Sequence, residues 1–122
     1  LGRSLDANES TIKNYLDIAH GIMIWRNIPS LERSKVKSMI KMPKGIFRDS
    51  GLNNHLQGLT TYEKLHNSPL IGQNFESFII EELIRGVQAS RATRWDYSFF
   101  RTKSGSEVGL IFSGEFGLFT KS

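Results

Sequence analysis

The sequence predicts an α+β chain, a truncated winged-helix-like segment followed by a helix and a three-stranded antiparallel sheet. Three observations carry this expectation. Apolar residues recur at helical spacing just after Asn8 and again from Leu70 to Val87. Three aromatic-rich extended runs, 95–102, 106–112 and 116–121, are separated by the turn pairs Ser104-Gly105 and Ser113-Gly114. The 122 residues are 39% hydrophobic and include eight Phe, enough to build a core in a chain of this length.

Taken in order, Asn8 is placed to cap a helix, with Glu9 in the favourable first turn. Ile12, Tyr15, Leu16 and Ala19 continue it through His20, and Gly21 is the natural stop. Leu1 to Leu5 read as the end of a preceding helix and Asp6-Ala7 as a turn, which gives a helix-turn-helix outline. Ile22 to Ile28 reads as a strand or a helix extension, ended by Pro29-Ser30. Val36 to Met42 is strand-like, and Pro43 restricts the residue before it to extended backbone. Lys44 to Arg48 is again extended, and Asp49 or Ser50 caps a short helix through Leu56. Two short strands joined by a basic turn after a helix pair outline a winged helix over 1–57.

Residues 58–69 are expected as a linker or a loop lying across the surface, and 70–122 as the helix and three strands. Phe75, Phe78, Ile79, Leu83 and Val87 form a wide apolar stripe on that helix, with Glu76, Glu81, Glu82 and Arg85 on its other faces.

Charge is unevenly spread. The formal net charge is +4, yet the stretch from Arg26 to Arg48 holds Arg26, Arg33, Lys35, Lys37, Lys41, Lys44 and Arg48 against Glu32 alone. That stretch carries +6 and the remainder of the chain −2. Concentrated basic charge favours a polyanion such as DNA. On the helix after Asn8, Ser10 and Asn14 have the chemistry to reach base edges and Lys13 to touch phosphate, while Glu9 and Asp17 repel a polyanion. The expected nucleic-acid contacts are therefore Ser10, Lys13, Asn14, Lys35, Lys37, Lys41 and Lys44. The same helix also suits docking against a neighbouring domain, and fold alone does not choose between these.

Several chemistries are excluded by composition or motif. Without Cys there is no disulfide, zinc-thiolate site or thiol nucleophile. His20, His55 and His66 have no metal-ligand spacing. Neither a phosphate-cradling glycine loop of the P-loop type nor a serine nucleophile elbow occurs. No apolar run reaches membrane-spanning length and no signal peptide opens the chain, so a cytoplasmic location without a membrane partner is expected.

A helix bearing acids followed by three antiparallel strands is how a restriction-endonuclease-like core begins. Such a nuclease holds Mg²⁺ with an Asp early on the second strand and the Glu of Glu-x-Lys on the third, and its Lys orients the attacking water. Here the second strand reads Glu107-Val108-Gly109-Leu110-Ile111-Phe112, and period-two alternation puts Glu107, Gly109 and Ile111 on one face. The third reads Gly117-Leu118-Phe119-Thr120-Lys121. Gly109 stands where the Asp belongs and Phe119 where the Glu belongs, so only Lys121 remains. Hard cations take oxygen ligands, which Gly and Phe side chains lack. No catalytic residue, metal site or cofactor is therefore expected. A metal-dependent nuclease built from Glu76, Glu81, Glu82 and Glu107 is one alternative, and a structural or dimerising fragment is another.

From Leu1 to Lys121 the chain resembles the uncharacterised C-terminal domain that follows an AAA-type ATPase domain in many bacterial and archaeal proteins. Leu1-Gly2-x-x-Leu5 with Ser10-Thr11-Ile12-Lys13-x-Tyr15-Leu16 carries part of the resemblance. Lys41-x-Pro43-Lys44-x-x-x-x-Asp49-Ser50-Gly51-Leu52, Phe75-Glu76-x-Phe78-Ile79-x-Glu81-Glu82-Leu83 and Ser104-Gly105-x-Glu107-Val108 carry the rest. The resemblance implies a P-loop ATPase domain upstream in the parent protein, and a winged-helix-like part followed by an endonuclease-like part. Family members typically read Glu-Val-Asp-Leu on one strand and Glu-x-Lys on a later one. Glu76, Glu82, Glu107 and Lys121 match family positions, while Gly109 and Phe119 depart from them. The expected function is thus a non-catalytic module of an AAA-type ATPase that binds DNA or a partner domain.

Overall fold

A computed structural model of the chain describes residues 8–31, 42–91, 94–114 and 117–121. It is a mixed α+β structure with two small antiparallel sheets. Helix α1 spans Glu9–Gly21, and Asn8 caps it as expected, its side chain accepting from the Thr11 N–H at 2.8 Å. The stop is different from the one expected. The left-handed residue is Met23, at φ 64°, and not Gly21, which completes the helix. Met23 N–H donates to the His20 carbonyl and Ile24 N–H to the Ala19 carbonyl, so a Schellman motif closes two residues beyond the glycine. Met23→Gly is expected to stabilise the fold slightly, by up to about 1 kcal/mol, because only glycine adopts this backbone without a steric cost. Urea titration of the two proteins checks it.

Strand β1, Trp25–Ile28, pairs antiparallel with β2, Lys44–Phe47, in the register Arg26↔Ile46 and Ile28↔Lys44. Of the run 22–28, only the last four residues are strand; the Schellman turn takes the rest. The expected strand over 36–42 falls almost wholly outside the described residues, as does the preceding helix over 1–5. Alternation sets the two faces of the ribbon. Ile28 and Ile46 are buried, and Arg26 and Lys44 share their face. Trp25, Asn27, Gly45 and Phe47 take the other face. There the Trp25 indole lies across Gly45, whose missing Cβ would overlap Trp25 Cζ2. Gly45→Val is therefore expected to evict the indole and cost about 1–3 kcal/mol, read as a lower denaturation midpoint.

Helix α2, Ser50–Leu56, is capped by Asp49, which accepts from the Leu52 N–H at 2.9 Å. The segment 58–69 is not simply loop, for it holds a one-turn helix, α3, Tyr62–His66, capped by Thr61. Helix α4 runs Ile71–Ala89, close to its predicted span. Strands β3, Trp95–Arg101, β4, Glu107–Gly114, and β5, Gly117–Lys121, form a meander in the order β3-β4-β5. A register shift interrupts β3–β4 pairing between Ser98 and Phe100.

One core joins both sheets to α4. Ile28 of β1, Ile46 of β2, Ile80 and Ile84 of α4, Phe99 of β3 and Leu110 of β4 form a single buried cluster. The backbone joins the two sheets as well: Phe99 N–H donates to the Pro29 carbonyl at 2.9 Å, and Leu31 N–H to the Phe99 carbonyl at 2.8 Å. No described helix is long and apolar enough to cross a membrane.

Candidate functional site

The inner face of the β1–β2 ribbon carries cations into the molecule, where α4 and β4 meet them with acids. Lys44 Nζ donates to Glu76 Oε1 at 2.8 Å and to Glu107 Oε1 at 2.7 Å, tying β2 to α4 and to the start of β4. Glu107 is also held by Arg101, whose Nε donates to Oε2 at 2.8 Å. Gly109 lies against the same point, since a Cβ there would overlap Glu76 Oε1 and approach Ile80 Cδ1. Glu76, Glu107, Gly109 and Lys44 thus converge, although 32 and 63 residues separate the lysine from its two acids. Burial pulls the Lys44 amine down, but the hydrogen bonds and charges of Glu107 and Glu76 outweigh it and raise its pKa. Burial likewise pushes the Glu107 carboxyl up, and Lys44 and Arg101 reverse that and hold it below its usual value.

These groups do not fit a divalent cation. Mg²⁺ and Ca²⁺ take six or more oxygens, whereas the two carboxylates here already share an ammonium and Gly109 contributes no oxygen from a side chain. Among the described residues no group of three or more His, Asp or Glu is placed to hold a metal ion. The β5 side chains, including Phe119 and Lys121, lie outside what the structure describes; the β5 backbone pairs Phe119 with Phe112 and Lys121 with Leu110.

A second charged cluster lies on the other side of the ribbon's core. Glu81, 2% exposed, accepts from Arg26 Nε at 2.7 Å, Arg26 Nη2 at 3.1 Å, Arg48 Nε at 3.0 Å and Arg85 Nε at 3.1 Å. Arg26, itself buried, also donates to Tyr97 Oη at 3.1 Å and stacks over its ring. Glu82, by contrast, is exposed and among the described residues meets the Arg85 guanidinium alone, 3.7 Å away. The four acids therefore divide between two clusters, Glu76 and Glu107 sharing Lys44 and Glu81 and Glu82 sharing Arg85, rather than forming one site.

Of the expected nucleic-acid contacts, Ser10, Lys13 and Asn14 are exposed on α1, where the Ser10 hydroxyl donates to Asn8 Oδ1 at 2.7 Å. Lys35, Lys37 and Lys41 fall outside the described residues. Lys44 is engaged internally, and so are Arg26 and Arg48. The inward role of these three cations is not what charge counting along the sequence predicts. The signal was there: Ile28 and Ile46 had to face the core, and residues two positions away share their face.

Helix α1 has no buried residue. Ile12, Leu16 and Ala19 are half-buried, while Tyr15, Ile18 and Ile22 form a neighbouring apolar flank that is 65%, 60% and 63% exposed.

The family model of a domain of unknown function (DUF8612) matches residues 1–63, more than half of the chain. The chain belongs to the DUF8612 family. Two uncharacterised mycobacterial proteins, one from Mycobacterium bovis and one from Mycobacterium tuberculosis, are each 28% identical to it over 110 residues, covering 90% of this chain. The DUF8612 chain spans 24% of the length of these relatives. No solved structure matches it.

Proposed function

We propose that this DUF8612 chain is a non-catalytic interaction module that docks a partner domain through α1. The observation that carries the non-catalytic part is the Lys44 ammonium seated between Glu76 and Glu107, beside a position with no side chain at Gly109. A metallonuclease of the class the sequence resembles needs oxygen ligands at that point; this chain supplies its own cation instead. The docking part rests on the exposed Tyr15–Ile18–Ile22 flank, continued by Met23 at 70% exposure. The partner that the sequence resemblance suggests is an AAA-type ATPase domain of the parent protein.

Supercoiled plasmid incubated with the chain and Mg²⁺ or Mn²⁺ is expected to stay intact. Cleavage that disappears in Glu107→Ala would overturn the non-catalytic reading. For docking, Ile18→Ser and Tyr15→Ser are expected to leave stability within about 0.5 kcal/mol, as surface substitutions do, while weakening association with the parent's ATPase domain at least tenfold by calorimetry. Unchanged affinity in both variants would rule α1 out as the docking face.

DNA binding is the second reading, favoured by the +6 charge between Arg26 and Arg48. With Arg26, Lys44 and Arg48 paired internally, it rests on Lys13, Arg33, Lys35, Lys37 and Lys41. Affinity for duplex DNA that falls steeply with salt supports it, because phosphate contacts release counterions; a flat salt dependence rejects it.

A further inference from the structure

The outer face of the β1–β2 ribbon meets α2 and α4 around a cavity of about 150 Å³ that neither the charged clusters nor α1 explains. That size takes one small ring system, well short of the roughly 300–1,000 Å³ of a drug-sized site. One wall is aromatic. The Trp25 indole is fixed there by its Nε1–H to Asn27 Oδ1 at 2.9 Å and by an edge contact with Phe47 at 5.3 Å between centroids. The facing wall is amide: Asn53 of α2, Gln57 at its C-cap, and Gln73 and Asn74 of α4, with Ser77 beside them and no charged side chain among the described lining residues.

Three of these amides form a relay. Asn53 Nδ2 donates to Asn74 Oδ1 at 3.2 Å, and Asn74 Nδ2 donates to Gln57 Oε1 at 2.9 Å. Asn53 Oδ1 and Gln57 Nε2, the outer atoms of this relay, take no part in its two hydrogen bonds. A chain of three linked amides ends in one acceptor and one donor whichever way it runs. The cavity thus offers a flat apolar wall, a fixed acceptor and a fixed donor.

We propose that this cavity binds a nucleobase. The base lies against Trp25, its exocyclic amine donates to the Asn53 end of the relay, and a ring nitrogen accepts from the Gln57 end. Adenine meets all three requirements, as its N6 amine and ring nitrogens are what Asn and Gln amides recognise. Stacking on an aromatic ring is the usual way an unpaired base is held. The base comes either from a free nucleoside or nucleotide or from a single strand. The inference rests on the β1–β2, α2 and α4 surface and stands or falls separately from the docking reading of α1.

Nuclear magnetic resonance on the unaltered chain tests it, through the side-chain NH₂ signals of Asn53, Gln57 and Asn74 and the Trp25 indole N–H. Adenosine is expected to shift these signals in a saturable way. N6,N6-dimethyladenosine, which keeps the ring but loses the donor, is expected to bind at least tenfold more weakly. An oligo-deoxyadenosine that binds at least tenfold tighter than adenosine assigns the base to a single strand; equal affinities assign it to a free nucleoside. Gln57→Ala, at an exposed position, is expected to weaken adenosine at least tenfold with an unchanged fold by circular dichroism. No shift with adenosine or the oligomer, shifts elsewhere on the molecule, or equal binding of the dimethylated analogue overturns the proposal.

Discussion

Replacing Glu81 by Ala is expected to destabilise the chain by about 3–5 kcal/mol, the usual cost of removing one partner from a buried ion pair. The carboxylate accepts four N–H groups from three guanidiniums. Arg26 is the one that suffers most, since it is 6% exposed and would keep only the Tyr97 hydroxyl. Glu81→Gln is expected to cost nearly as much, because the amide keeps the shape but leaves three positive charges facing one another. Replacing Arg26 and Glu81 together by Met and Leu is expected to recover a large part of the loss, as apolar replacements of buried pairs do. Urea denaturation with an unchanged slope and a lower midpoint would register each of these as a stability change. A loss under about 1 kcal/mol in Glu81→Ala would mean that the Arg26 guanidinium finds water.

The same cluster fixes the acid limb of the stability curve. Burial pushes the Glu81 carboxyl up, and the hydrogen bonds and charges of Arg26 and Arg48 more than reverse this, so its pKa lies below the unfolded value. Glu107 is lowered as well. A lowered carboxyl stabilises the fold above its unfolded pKa, about 4.3 for Glu, and that stability drains away as the pH falls through the folded value. Lys44 acts at the opposite end: its raised pKa contributes below the unfolded value near 10.5 and is lost as the pH rises through the folded one. Stability measured from pH 2 to 11 should therefore form a plateau with two shoulders, and Glu81→Ala should flatten the acid one.

What was legible in the sequence was local. Asn8 and Asp49 announce their helices because a cap is a contact over three residues. The long helix and the β3-β4-β5 meander follow from periodicity and turn residues, which also act over short spans. The stop of α1 was misplaced because Gly21 is the residue that a left-handed turn favours, whereas the chain puts that strain on Met23 and Ile24 closes the motif. The basic stretch was read as one surface because charge counting carries no direction. Only pairing β1 with β2 shows that Arg26, Lys44 and Arg48 turn inward to acids 32 to 63 residues away. The amide relay left no sequence signal either, as it joins α2 to α4 through side chains common on any polar surface.

A fragment of residues 1–63, the part that carries the family match, is expected not to fold on its own. Among its described residues the buried apolar ones are Ile28 and Ile46, and every other member of their cluster, Ile80, Ile84, Phe99 and Leu110, lies beyond residue 63. Arg26 and Arg48 would lose Glu81, and Lys44 would lose both Glu76 and Glu107. What the structure describes of the remainder is a two-stranded ribbon, marginal in water without a third strand or a helix against it, and helices of 13 and 7 residues, near or below the length at which isolated helices persist, while α3 is cut after its second residue. The fragment should give a coil-like circular dichroism spectrum and poorly dispersed amide resonances, while the 122-residue chain unfolds in one cooperative transition. Dispersed resonances from 1–63 alone would show that the matched segment is a folding unit. The ribbon would then hold its two arginines and its lysine without the acids of α4 and β4, and the charge clusters would be contacts between two domains rather than the interior of one.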